Sequence, residues 1–325
     1  MAAFLAAHGW ARAEAEPMAG DASARRYVRL RAPDGGTAIL MDAGPDQAGP
    51  TGRFVRLAGW LSGNGFSAPR ILAADAAQGL LIVEDLGEAL FADLLRRDPA
   101  REGELAGLAC EVLHRLADLP PPEGLAALDP QRLGALVAEA LPWHLRQPPA
   151  ACRAAADRLA AAIEADAAAI DDGRRIFAHR DYFAGNLVLL ADRRGHGRTG
   201  ILDFQDAVLA HPAYDLVSYL QDVRRAVPAG LEQQVIAAFC DRSGADRETF
   251  AASYAVLGAQ RALRIAGVFA RLIDAGKTRY AAHLPRTWRL VARNLAHPAA
   301  AETARAVAEL GLLPGAAAGG AEARA

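Results

Sequence analysis

The decisive stretch reads Ile176-Phe177-Ala178-His179-Arg180-Asp181-Tyr182-Phe183-Ala184-Gly185-Asn186, with the apolar run Leu187 to Leu190 behind it. Two short apolar runs around a polar loop predict strand, tight turn, strand. Inside the loop Asp181 offers a carboxylate, and Asn186, five residues on, offers a side-chain carbonyl. Such a pair suits a reaction at a hydroxyl group. The carboxylate orients the hydroxyl and takes its proton, while the amide oxygen is a hard ligand for magnesium. Gly185 helps the loop turn tightly, and His179 is expected to brace it through hydrogen bonds.

Seventeen residues beyond Asn186 comes Asp203-Phe204-Gln205-Asp206, at the end of a second apolar run from Gly200. Asp203 supplies a second hard oxygen for the same cation. Asp206 is assigned to an acceptor hydroxyl or to a supporting position behind the metal. The intervening Gly195-His196-Gly197-Arg198-Thr199-Gly200 fits G-x-G-x-x-G, but a strand follows it where a dinucleotide fold needs a helix. It reads as a hairpin loop. Gly276-Lys277-Thr278 is no phosphate loop either, since Arg271 stands where the leading glycine belongs. Asp215, in Pro212-Ala213-Tyr214-Asp215-Leu216, either caps the helix that starts there or bonds the backbone of the 179–186 loop.

Further out the chain divides in character. Residues 26–31 and 38–42 flank Asp34-Gly35-Gly36, a hairpin signal. Residues 53–62 have helical spacing, and 70–73 and 80–83 read as two more strands. From 89 onward Ala/Leu-rich helices dominate (89–97, 102–118, 131–146, 151–171), punctuated by Pro120-Pro121-Pro122 and Pro148-Pro149. Helices resume from Tyr214 to about 311. The expected fold class is α+β with two lobes: a small β-rich lobe over residues 1–86, a large helical lobe over 87–311, and a low-complexity tail over 312–325.

Composition removes several alternatives. Of 36 Lys and Arg residues a single one, Lys277, is lysine. No Schiff-base or phosphate-pairing lysine can therefore act before residue 277. A net charge of −2 gives no argument for nucleic acid or an anionic membrane as partner. Three widely spaced cysteines fit reduced thiols in the cytoplasm. Neither a signal peptide nor a membrane-spanning run is expected. Residues 253–290 hold seven basic side chains (Arg261, Arg264, Arg271, Lys277, Arg279, Arg286, Arg289) against Asp274, a balance of +6. Arg261, Arg264 and Arg271, at i, i+3 and i+10, lie near one helical face, which favours an acidic acceptor.

His179-Arg180-Asp181 with Asn186 has the spacing of a kinase catalytic loop. Together with Asp203 the chain resembles the aminoglycoside phosphotransferase/choline kinase family, over most of residues 15–295. Ala19-Gly20-Asp21-Ala22-Ser23, Leu40-Met41-Asp42-Ala43, Leu202-Asp203-Phe204-Gln205-Asp206-Ala207, Gln260-Arg261-Ala262-Leu263-Arg264 and Leu284-Pro285-Arg286 look like its bacterial anomeric N-acetylmuramate/N-acetylglucosamine kinase branch. The resemblance implies a protein-kinase-like fold and transfer of phosphate from ATP, with Mg2+, to the C1 hydroxyl of an amino sugar, in cell-wall recycling. Asp181 would be catalytic, and Asn186 and Asp203 would hold the metal. Gly20, Asp21, Ser23 and Arg26 would line the phosphates, and Glu84 to Leu86 would meet adenine through the main chain. Asp206, Arg261 and Arg264 would meet the acceptor. A cytoplasmic monomer is expected. An aminoglycoside, choline or homoserine is the alternative acceptor, and a nucleotide-binding module without transfer is the alternative class. One departure stands out: Met41 occupies the strand position of the kinase lysine, and residues 53–62 hold no acidic partner. Arg25 or Arg26 is expected to substitute. Alternation along a strand allows only one of them to face the nucleotide.

Overall fold

A computed structural model describes residues 1–18, 25–145 and 149–313. Its elements run α1 (Ala2–Ala7), β1 (Glu14–Pro17), β2 (Arg26–Arg31), β3 (Thr37–Asp42), α2 (Ala48–Gly63), β4 (Ile71–Asp75) and β5 (Leu80–Glu84). Then come α3 (Phe91–Arg97), α4 (Glu102–Ala117), α5 (Pro130–Ala140), α6 (Pro142–Leu145) and α7 (Pro149–Ala169). Short strands β6 (Ile176–Ala178), β7 (Leu187–Leu189), β8 (Thr199–Ile201) and β9 (Val208–Ala210) follow. Five helices close the chain: α8 (Ala213–Leu220), α9 (Ala229–Ser243), α10 (Arg247–Asp274), α11 (Leu284–Leu295) and α12 (Ala301–Glu309).

The chain forms two compact units, residues 1–112 with 184–207, and residues 113–183 with 208 onward. By this division residues 87–112 and the β7–β8 hairpin fall in the first unit, whereas the sequence reading assigned residues 87–311 to the helical lobe. The hairpin joins that unit because Leu86, Val188 and Leu190 pack together against Leu90 and Leu202.

The first unit is built on an antiparallel sheet ordered β1-β2-β3-β5-β4. One sheet face carries Leu30, Ala38, Leu40, Ala73 and Ile82, covered by Phe4, Leu5 and Trp10. Because side chains alternate, Tyr27 and Met41, which pair across β2 and β3, lie on the other face. The β4–β5 turn needs Gly79: its φ is +70°, and a Cβ there would run into the Gly44 backbone.

In the second unit α10 runs through the helical packing, touching α5, α8 and α11, and β6 pairs with β9. β1 and β9 were not expected. β1 (Glu14–Pro17) is fully exposed and four residues long, so it has no apolar alternation to read. The expected helix 131–146 breaks at Pro142, which has no N–H to continue the ladder. The strand expected over 200–204 stops at Ile201, because Asp203 turns left-handed with φ 60°. No helix among the described residues is long and apolar enough to cross a membrane.

Candidate active site

In the second unit β6 delivers His179, Arg180 and Asp181. Arg180 has φ +78°, a left-handed conformation that costs a non-glycine residue roughly 1–2 kcal/mol. The loop is held in it from both sides. Asp215, buried at the start of α8, accepts the backbone N–H of His179 at 2.6 Å and of Arg180 at 3.0 Å. It makes no side-chain cap to its own helix, so of its two expected roles the loop contact is the one present. From the other side Arg261 of α10 donates Nη1 to the Arg180 carbonyl at 2.7 Å. Its Nη2 stands 3.5 Å from Asp181 Oδ1, and its guanidinium lies 5.7 Å from the Tyr214 ring centre.

Asp181 keeps 46% of its side chain exposed. Partial burial pushes its pKa up, but Arg261, Arg264, His179 and Arg180 together pull it below the usual carboxylate value. Asp215 goes the other way, since full burial raises it more than His179 and the two N–H donors lower it. Asp181 is therefore a weak base that stays ionised, suited to orienting a hydroxyl. Arg264 sits among Tyr214, Arg180, Asp181 and Arg261, and burial lowers its pKa. The basic face of α10 is thus not uniform: Arg261 is buried beneath the loop, Arg264 is half-buried and Arg271 is exposed.

The chain enters the first unit at Ala184. A single turn, Ala184–Asn186, precedes β7, and the Asn186 carbonyl accepts the Leu202 N–H at 2.9 Å across the hairpin. Asp203 follows two residues past the closing strand pair, Leu187 and Ile201. Phe204 is buried against Phe54 of α2, 4.7 Å between ring centres, and Arg53 donates to the Ala207 carbonyl. Gln205 Nε2 donates to Asp203 Oδ1 at 2.7 Å. Asp203 and Asp206 are exposed. Among the described residues no three His, Cys, Asp or Glu side chains gather to hold a metal. Asn186 and Asp203 as an oxygen pair fit magnesium, which takes one or two protein oxygens and completes its shell with phosphates and water.

Arg25 and Arg26 diverge. Arg26 is 78% exposed and pairs with Asp42 at 2.6 Å, on the face that carries Leu40 and Leu30. Arg25 hydrogen-bonds the Tyr27 side chain, on the face of Met41, and Asp203 is close enough to Tyr27 to act on it. Burial raises the Tyr27 pKa, Arg25 opposes that and Asp203 adds to it. Met41 itself is buried. Glu84 directs its carboxylate to Arg193 at 2.8 Å and Arg70 at 3.2 Å, its backbone N–H donates to the Arg70 carbonyl at 2.8 Å, and Leu86 is buried. Gly20, Asp21 and Ser23 lie outside the described residues. The sequence reading missed Arg224, whose guanidinium covers the Phe183 ring at 4.1 Å. Nothing in the sequence ties the α8–α9 connection to this loop.

A five-stranded antiparallel sheet, a helical unit and a braced His-Arg-Asp loop followed by an Asn–Asp oxygen pair define a kinase-like phosphotransferase. The chain belongs to the phosphotransferase enzyme family, whose pattern matches residues 14–252. It is 37% identical to the N-acetylmuramate/N-acetylglucosamine kinase of Caulobacter vibrioides, with 93% of each chain covered. It is 30% identical to the enzyme of the same name from Pseudomonas aeruginosa, covering 94% of this chain and 92% of that one. Among solved structures, a choline/ethanolamine kinase family protein from Mesorhizobium loti shares the fold with a TM-score of 0.62 at 16% identity, covering 94% and 97%. The GDP complex of aminoglycoside 2'-phosphotransferase-IIIa gives 0.59 at 17% identity, covering 87% and 92%.

Proposed function

We propose that this enzyme transfers the γ-phosphoryl group of ATP to the anomeric hydroxyl of N-acetylmuramate and N-acetylglucosamine. The observation that carries the reading is identity of 37% along nearly the whole length of a relative with that name. Asp181 orients the C1 hydroxyl, and its depressed pKa keeps it charged while it does so. The proton leaves the hydroxyl late, as suits a loose phosphoryl-transfer transition state. Asn186 and Asp203 hold magnesium, which when bound neutralises charge on the terminal phosphates. Arg25, on the face of the buried Met41, takes the phosphate-pairing role of the absent lysine. Asp206 and Arg264 are assigned to the acceptor, whereas Arg261 positions the loop. Three buried cysteines, none of them in a disulfide, fit a reducing cytoplasm.

The test is incubation with labelled ATP, magnesium and a panel of N-acetylmuramate, N-acetylglucosamine, kanamycin, choline and homoserine. Label is expected on the two amino sugars at C1. Asp181→Asn is expected to lower kcat by roughly 10²–10⁴. Label on kanamycin, choline or homoserine but not on the amino sugars overturns the substrate. Nucleotide binding with no transfer to any acceptor overturns the activity.

A further inference from the structure

The loop after α8, Gln221-Asp222-Val223-Arg224-Arg225, lies against the catalytic loop, and its charges do not balance. Asp222 is buried, its side chain 3% exposed. It accepts the Arg224 N–H at 3.0 Å, and its carboxylate stands 3.5 Å from Arg224 Nη1 and 3.6 Å from Arg225 Nε. Arg286 of α11 donates Nε to the Asp222 carbonyl at 3.0 Å. Three guanidinium groups thus gather about one buried aspartate. Arg225 also donates to the Tyr219 carbonyl at 2.9 Å and stacks on the Tyr219 ring. Nearby Arg293 is matched by Glu232 in a two-bond pair at 2.8 and 2.9 Å. Arg224 reaches the catalytic loop. Its side chain is 38% exposed, its ion pair is long, and its planar group lies on Phe183.

Phe183 is two residues beyond Asp181, so their α-carbons are at most about 7 Å apart. The Arg224 fork therefore stacks on the ring that follows the hydroxyl-orienting aspartate by two residues. Burial together with Arg293, Arg289 and Arg225 lowers the Arg286 pKa, with Asp222 opposing. Burial and Arg224 likewise lower His283, with Asp222 opposing. Both shifts mark excess positive charge in a partly dry place. A guanidinium stacked on an aromatic ring keeps its in-plane donors available for a planar anion.

We propose that Arg224, supported by Arg286, binds the carboxylate of an acidic acceptor and so determines preference for a sugar acid over its neutral counterpart. The inference rests on the amino-sugar reading above and adds to it. The two proposed substrates differ in this feature, because N-acetylmuramate carries a lactyl carboxylate and N-acetylglucosamine does not.

The test measures kcat/KM for both sugars, and for the methyl ester of N-acetylmuramate, in the wild-type enzyme and in Arg224→Ala, Arg224→Lys and Arg286→Gln. In the wild type, esterification is expected to lower kcat/KM by about ten- to a hundred-fold, the effect of losing one charge-assisted pair. Arg224→Ala is expected to lower the muramate-to-glucosamine ratio by a similar factor and to abolish the difference between acid and ester. Arg224→Lys, which keeps charge without the fork, falls between. An unchanged ratio in Arg224→Ala, or an ester as good as the acid in the wild type, overturns the proposal. So does a rise in the KM for ATP that is equal with both sugars, which assigns Arg224 to the nucleotide. Should Arg224→Ala fail to fold, the ester comparison and Arg286→Gln still decide. Failure of the amino-sugar reading looks different: the wild-type enzyme then phosphorylates neither sugar.

Discussion

Replacing Arg261 by alanine tests whether the catalytic loop is held by its supports. Arg261 donates to the Arg180 carbonyl at 2.7 Å and adjoins Asp181 at 3.5 Å, with its own side chain 9% exposed. A hydrogen bond from a charged group is worth about 1.5–3 kcal/mol, and Arg180 already carries roughly 1–2 kcal/mol of left-handed strain. Asp215 keeps hold of the two N–H groups, so the loop loosens without collapsing. At 1.36 kcal/mol per decade, kcat/KM is expected to fall about ten- to a hundred-fold. A second effect separates positioning from general damage. Burial is the largest influence on the Asp181 carboxyl and pushes its pKa up, and Arg261 is the strongest of the groups opposing it. Without Arg261 the carboxyl protonates at higher pH. Because the ionised form is the active one, the acid limb of the kcat/KM profile moves upward in pH, and activity is lost as pH falls through that raised value. Arg261→Lys retains the charge and is expected to retain most of the original profile. The assay is steady-state transfer to N-acetylmuramate between pH 4 and 8, with thermal unfolding as a check on folding. Wild-type kcat/KM with an unmoved acid limb in Arg261→Ala would refute the reasoning.

Two further outcomes are expected. Arg25→Ala raises the KM for ATP by about ten- to a hundred-fold through loss of a charged phosphate contact. Arg26→Ala changes it less than about threefold, since its pair with Asp42 is exposed and worth little; equal effects of the two substitutions in an ATP titration contradict the assignment. Gly267→Ala tests the α5–α10 packing, because the added Cβ would stand 2.8 Å from the Ala140 Cβ and closer still to its carbonyl. Overpacking costs typically 1–3 kcal/mol, more than the roughly 1 kcal/mol that alanine gains in helix propensity. The melting temperature therefore drops, whereas at the unobstructed, exposed Gly107 of α4 the same exchange raises it; a rise at both positions sinks the argument.

Much of the site is legible along the chain because it is local. Asp181, Asn186 and Asp203 sit on one strand–loop–hairpin segment, so their spacing alone carries the proposed chemistry. The same locality makes Met41 readable as the missing lysine, since it lies on a strand of clear pattern. The helix-period face holding Arg261 and Arg264 is also visible, but periodicity says which residues share a face and nothing about what that face meets. Packing decided it: α10 turns Arg261 under the loop, where it bonds Arg180. Alternation along β2 required Arg25 and Arg26 to part, and only the pairing of Tyr27 with Met41 showed which side each takes. Asp215 left two roles open in sequence, because a helix-start aspartate can cap or reach out, and its two bonds to residues 35 and 36 positions earlier resolved them. Arg224 carried no signal at all. Its importance comes from a ring 41 residues back in the chain, and a contact of that kind exists only once the helices between them have packed. Sequence determined the chemistry held within single segments, and tertiary structure decided every role that depends on which distant segment a side chain meets.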